Sequence, residues 1–236
     1  MRGPEVTQSG GRLIHLTINP DAKGGKWTSP QKKLDAPPVH VHFVSGFTSI
    51  NSRDLGDAKR AALAVLPEGS TVSRHRFATG ANIALVNHGL PRGLREREVR
   101  RIGDEMKEIA DTTGKAPILV TYSLGGVQSM ESWVKNPEEA SGMVAFGPPF
   151  RMPGVGMTEK PETGQLHVIY GTHDLVVFPP FTRHGQEDTR TAVSGGHFSL
   201  PVSKQGLTAM TEALVQIVEG TPAEEKVMQL AGSSAQ

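Results

Sequence analysis

The stretch Ala116-Pro117-Ile118-Leu119-Val120-Thr121-Tyr122-Ser123-Leu124-Gly125-Gly126-Val127 decides how the chain is read. A short apolar run stops at a serine, a pair of glycines comes just after it, and a helical pattern begins. A serine placed between a buried strand and a helix has to sit on a very tight turn. The positions two before and two after it are expected to crowd each other, so small side chains are wanted there. Gly125 meets that demand fully and Thr121 in part. Such a turn lifts the Ser123 hydroxyl out of the top of a sheet, beside a helix N-terminus. There the Leu124 amide points at any negative charge forming on a bound carbonyl.

Outward from this stretch, strand and helix patterns alternate. Pro37-Pro38 precedes Val39–Val44, a run of branched and aromatic residues that reads as a strand. Leu55, Ala58, Ala62, Val65 and Leu66 recur at helical spacing until Pro67 and Gly69 end the helix, and Thr71–Phe77 reads as the next strand. Ala81–Gly89 is ambiguous between a loop and a short apolar element. Val99, Ile102, Met106, Ile109 and Ala110 form one apolar stripe in a helix over Leu94–Thr112, closed by Gly114. The central strand starts at Ile118 and the helix after the turn runs to Val134. Strands follow at Gly142–Phe146, Leu166–Tyr170 and Thr189–Val193. A Pro/Gly-rich stretch reaches from residue 147 to Gly164, and Leu207, Met210, Leu214 and Ile217 mark a final amphipathic helix. Alternation of this kind predicts an α/β domain over residues 35–220, with a mostly parallel sheet covered by helices on both faces. Residues 1–34 read as an extension with an edge strand at Leu13–Ile18, and 221–236 as a flexible tail.

Composition narrows the function. A chain of 236 residues is ample for a substantial core, and 25 Lys+Arg against 24 Asp+Glu leave no global field to attract nucleic acid or an anionic membrane. Cysteine is absent, which excludes a disulfide framework and a thiol nucleophile. The N-terminus carries no apolar secretory core, and no apolar run reaches the roughly 20 residues of a membrane span, so a cytoplasmic protein is the expectation.

Thr121-Tyr122-Ser123-Leu124-Gly125 resembles the nucleophile elbow of the α/β-hydrolase family, with Thr121 in place of the first glycine of G-x-S-x-G. A serine hydroxyl needs a base, itself oriented by a third group. The resemblance implies the chain order nucleophile, acid, histidine, the last two on loops beyond later strands. Gly171-Thr172-His173-Asp174-Leu175-Val176-Val177-Phe178-Pro179 is similar to the family's acid loop and Ser194-Gly195-Gly196-His197-Phe198 to its histidine loop, which makes Asp174 the acid and His197 the base. Asp188 and Glu187 are reserve acids, and His173 and His184 are the rival bases. Phe43-Val44-Ser45-Gly46-Phe47 is similar to the family's strand followed by His-Gly-aromatic, with Ser45 where histidine is usual. Carried over by position, the backbone amides of Phe47 and Leu124 form the oxyanion hole. The fold implied has a short or absent cap, because Pro148–Gly164 is too short and broken for a helical one. Phe150, Met152, Val155 and Met157 are then candidates for an apolar flap over an acyl chain.

Other readings of these residues are structural. Serine is an ordinary helix N-cap, and Asp174 could cap a turn. His40 and His42 share one face of a strand, a spacing some metal sites use, but no partner set is evident in sequence. They read as structural histidines, with no metal ligands assigned. Arg92, Arg95, Arg97, Arg100 and Arg101 alternate with Glu96 and Glu98 as a solvated face, and Gly24-Gly25-Lys26 lacks phosphate-loop spacing. The resemblance implies a serine hydrolase that cleaves a small-molecule carboxylic ester through an acyl-serine, without cofactor. Thioester hydrolysis, acyl transfer, and a silent ligand-binding use of the fold are the alternatives.

Overall fold

Apolar runs with branched side chains become six strands, and every pairing between them is parallel. The computed structural model describes residues 33–46, 54–75, 92–152, 155 and 159–220. In chain order the elements are β1 (His40–Val44), α1 (Asp54–Val65), β2 (Thr71–Arg74), α2 (Arg92–Thr113), β3 (Ile118–Tyr122), α3 (Leu124–Lys135), β4 (Gly142–Phe146), β5 (Gln165–Gly171), β6 (Thr189–Val193) and α4 (Lys204–Glu219). The sheet order is β2-β1-β3-β4-β5-β6, so the chain first builds outward from β1 to β2, then crosses back to β3 and continues to the other edge. That reversal leaves β1 and β3 side by side, and a crevice at such a point is where open α/β sheets bind ligands.

Residue alternation along the strands feeds two cores. Val41 and Phe43 of β1, Ile118 and Val120 of β3 and Val144 and Phe146 of β4 pack with α1 and α4. Val44, Leu119, Met143, Ala145, Leu166 and Val168 face the other way, against Ile102 and Met106 of α2 and Met130 and Trp133 of α3. Because both faces are covered, the central strands carry apolar side chains on both sides. α4 begins at Ser203, whose Oγ accepts from the Gly206 amide at 3.1 Å, and ends at the left-handed Gly220. Arg95 of α2 reaches Glu131 of α3 with Nε 2.9 Å from Oε2, so part of the basic stripe ties two helices together.

Element boundaries move only at the ends. The strand expected over Thr71–Phe77 is β2, Thr71–Arg74, and the helix expected after the turn is α3, which starts at Leu124 directly after Ser123. The edge strand at 13–18, the segment 81–89, Phe47, Met157 and the tail 221–236 lie outside the described residues. No helix among the described residues is long and apolar enough to cross a membrane. Between β4 and β5 none of the described residues is in an α-helix.

Trp133 is the largest fully buried side chain among the described residues, and its Nε1 donates to the Ala140 carbonyl at 3.1 Å, closing α3 onto the entry to β4. Trp133→Ala should therefore destabilise the domain by about 3–5 kcal/mol, the range for removing a buried aromatic. Chemical denaturation followed by circular dichroism checks this, and an unchanged midpoint would contradict the packing described.

Candidate active site

Ser123 sits at φ 55, ψ −131, and is the only non-glycine residue with positive φ among the described residues. An L-residue in that region is strained by about 1–3 kcal/mol and persists only where its surroundings hold it. Its amide donates to the Phe146 carbonyl at 2.8 Å, continuing the ladder between β3 and β4, and its carbonyl accepts from Gly126 at 2.9 Å. The strand thus runs into the helix with no loop between, and the side chain is thrown out at the junction.

The crowding at this turn differs in detail from the sequence expectation. A Cβ at Gly125 would lie 2.7 Å from the carbonyl oxygens of both Val44 and Ser45, so Gly125 backs onto the end of β1 rather than onto Thr121. Thr121 is accommodated by Gly126 instead, where an added Cβ would come 3.2 Å from its Oγ1. Gly46 meets the turn from the other side, because a Cβ there would lie 2.7 Å from both Ser123 Cβ and the Tyr122 carbonyl. The same hypothetical atom would be 3.3 Å from the Leu124 amide nitrogen, so the loop leaving β1 passes beside that amide. Leu124 is the first residue of α3, and its N–H stands among the amides that a helix start leaves without intrahelical acceptors.

His197 and Asp174 reach Ser123 from the ends of β6 and β5. His197 Nε2 lies 2.9 Å from Ser123 Oγ, and Nδ1 lies 2.7 Å from Asp174 Oδ2. The other Asp174 oxygen, Oδ1, accepts from the amides of Val176 at 2.9 Å and Val177 at 2.8 Å. With both oxygens acting as acceptors, Nδ1 must carry the imidazole proton and donate it to Asp174. Nε2 is then the lone-pair nitrogen and accepts from the Ser123 hydroxyl. Asp174 is 1% and His197 4% exposed, so this chain of hydrogen bonds is shielded from water.

The rival residues go elsewhere. His173 is exposed, with Nδ1 3.0 Å from the neighbouring Thr172 hydroxyl. His184 is buried with its ring edge-on to Phe150 at 5.0 Å between centroids. Asp188 accepts from the Leu166 amide at 2.7 Å, bracing the start of β5. Phe150 belongs to the core with α2 and α3, so the expected apolar flap is not built on it, and Met152 is half-buried.

Two features were missed in sequence. Tyr122 donates its hydroxyl to the His197 carbonyl at 3.2 Å, and its ring lies 4.9 Å from the imidazole, so it buttresses His197 from the backbone and the ring side. Leu175, Val176, Phe178 and Phe198 are exposed apolar side chains flanking Asp174 and His197. The signal available was the apolar run after Asp174 and the aromatic after His197.

Solved structures share this arrangement of strands and helices. The chain resembles esterase PE8 at 19% identity over 79% of this chain and 100% of that one, with a TM-score of 0.55. An Agrobacterium tumefaciens protein of unknown function, assigned to the α/β hydrolases, aligns at 16% identity over 81% and 91%, with a TM-score of 0.58. A Paleococcus ferrophilus monoacylglycerol lipase aligns at 13% over 78% and 96%, with a TM-score of 0.52. The chain has the α/β-hydrolase fold. No protein-family model and no curated protein matches it.

Away from the Ser123 turn, the α/β-hydrolase fold gives His42 partners that the sequence did not reveal. His40 is not one of them. Its nitrogens lie 2.7 Å from Thr71 Oγ1 and 2.7 Å from Ser73 Oγ, and burial, helped by the charge of His42, lowers its pKa. His42 instead meets His75, just after β2, and Glu105 of α2, a set of side chains able to hold a metal ion. Burial pushes the Glu105 carboxyl up, but the adjacent His42 and His75 imidazoles outweigh it and hold the pKa at about 2.

The turn geometry separates two glycine substitutions. Gly125→Ala forces a methyl against two carbonyl oxygens and should cost at least about 1–3 kcal/mol, as overpacking does. At Gly93 of α2 an added Cβ meets nothing within 4 Å, and Gly93→Ala should be neutral or stabilising by up to about 1 kcal/mol. Urea midpoints of the two variants test this, and equal effects would contradict it.

Proposed function

We propose that this protein is a serine hydrolase that cleaves small carboxylic esters with an apolar acyl or alcohol part. The observation that carries the reading is the continuous path from Ser123 Oγ through His197 to Asp174, with contacts of 2.9 and 2.7 Å. Ser123 Oγ attacks the substrate carbonyl while His197 Nε2 removes its proton. The Nδ1–H bond to Asp174 holds the tautomer and stabilises the imidazolium that results. His197 then returns the proton to the leaving alcohol, and a water molecule repeats the sequence on the acyl-serine. The negative oxygen formed at each stage is held by the Leu124 amide at the start of α3 and, by family resemblance, by the Phe47 amide. None of these steps routes an electron pair through a metal or an organic cofactor.

The exposed apolar side chains favour the substrate class. Leu175, Val176 and Phe178 follow the acid, and Phe198, which is 65% exposed, follows the base with its ring 5.7 Å from the imidazole. Scattered single hydrophobics need no explanation, but a group around the reacting residues gives an apolar substrate arm a surface to cover. Ester, thioester and acyl transfer share this machinery, and a panel of acyl esters and thioesters of graded chain length distinguishes them.

Ser123→Ala should lose labelling by an organophosphorus serine probe and lower turnover by about 10³-fold or more. His197→Ala should fall similarly, whereas His173→Ala should stay close to wild type, since His173 lies outside the hydrogen-bonded path. Labelling retained in Ser123→Ala would overturn the proposal. Phe198→Ala should raise KM more for longer acyl chains than for acetyl, with kcat little changed. Wild-type protein that labels but turns over no member of the panel would favour a ligand-binding role.

A further inference from the structure

The cluster on the α2 side of the sheet has no part in the ester chemistry, and its donor set is unusual for a purely structural network. His42 comes from β1, His75 follows β2, and Glu105 projects from α2, so three separate elements each contribute one side chain. One ligating atom from each lies within 4.8 Å of the other two. His42 Nε2 is 3.1 Å and His75 Nδ1 2.9 Å from Glu105 Oε2, close to the about 3.3 Å edge of a tetrahedron built on 2.0–2.1 Å zinc bonds.

The contacts of the two rings point the same way. His42 is 2% exposed, its Nδ1 lies 2.6 Å from Ser73 Oγ, and its buried Nε2 makes no hydrogen bond of acceptable geometry despite the nearby carboxylate. A buried ring nitrogen without a hydrogen-bond partner therefore faces the cluster. His75 is fully buried with a carboxylate at each nitrogen, Glu105 at Nδ1 and Glu98 Oε2 3.1 Å from Nε2. Satisfying both carboxylates takes one positive charge beyond a neutral imidazole, supplied by a second ring proton or by a bound cation. With a cation between His42 and His75, both contacts are explained. Nε2–H donates to Glu98, and the Nδ1 lone pair faces the ion, the outer carboxylate orienting a histidine ligand as metal sites commonly arrange it. Arg101 Nη1, 2.9 Å from Glu98 Oε2, holds that outer carboxylate in place.

We propose that His42, His75 and Glu105 bind one divalent cation of the zinc class, with Glu98 as the outer-sphere partner of His75. Two imidazoles and one carboxylate match the preference of borderline cations and leave a fourth position. Glu105, about one-third exposed, lies on the solvent side of the cluster, so water completes the coordination. The ion joins α2 to β1 and β2, and β1 continues directly into Ser45 and Gly46, which pack on the Ser123 turn.

The test uses the full-length protein, stripped with a chelator, dialysed, and titrated with Co²⁺ while visible absorption and thermal melting are recorded. The expected result is one cobalt per chain, absorption of tetrahedral intensity, a raised melting temperature, and displacement of the cobalt by one equivalent of Zn²⁺. Glu105→Gln should abolish the spectrum, Glu98→Gln should weaken affinity by about 10–100-fold, and His173→Gln should bind like wild type. Failure of the wild-type protein to take up cobalt overturns the proposal whatever the variants do. So does uptake that Glu105→Gln leaves unchanged.

Discussion

The close approach of the end of β1 to the start of α3 is the constraint on which the site depends. Gly125 presses its Cα against the carbonyls of Val44 and Ser45, and Gly46 presses on Ser123 and Tyr122 from the same strand end. Neither approach leaves room for a side chain. Together with the Ser123 amide bonded to Phe146, they hold a serine at φ 55 that the backbone alone would reject. Strain of this kind survives because parallel strands on both sides of β3 determine where Ser123 must be. The same contact brings the loop after β1 beside the Leu124 amide, so one packing event sets both the hydroxyl and the first N–H of α3.

The other half of the site is assembled by a second set of strand ends. Gly171 ends β5 where a Cβ would collide with the Gly195 carbonyl, and the His173 amide donates to that same carbonyl at 3.1 Å. The loops after β5 and β6 are thereby laced together before either side chain is considered. Asp174 is locked by two amides of its own loop, and His197 is held between Asp174 and the ring and hydroxyl of Tyr122. Three strand ends thus position three side chains, and rigid backbone contacts rather than long flexible side chains keep the distances short.

The two faces of the sheet divide other roles. The α1/α4 face holds the larger apolar core, while the α2 face carries His42, His75, Glu98 and Glu105 beside its own apolar core. Buried ionisable groups are costly unless they are paired or bind a cation, so a cluster held by three elements calls for a function of its own. Its position under β1 places that function next to the Ser123 turn without making it part of the acyl chemistry.

The alternation of strands and helices was legible because each apolar period is local: branched runs for β1, β3 and β5, and 3.6-residue stripes for α2 and α4. The Ser123 elbow was legible for the same reason, since strand, serine and glycines are contiguous. Asp174 and His197 were singled out by the resemblance of their loops, each a contiguous stretch after a strand, to the acid and histidine loops of the α/β-hydrolase family. The fold decided what adjacency in sequence cannot encode. Thr121 is tolerated because Gly126, not Gly125, makes its space, and Phe150 is drawn into the core instead of covering the site. Tyr122 alternates with buried neighbours and reads as core, yet its hydroxyl meets a residue 75 positions away. His42 looked partnerless beside His40, because its real partners lie 33 and 63 residues further on (75 − 42 and 105 − 42) and are delivered by β2 and α2. Local periodicity determined the elements and the strand–serine–helix junction, whereas contacts between elements distant in sequence decided which side chains gather around it.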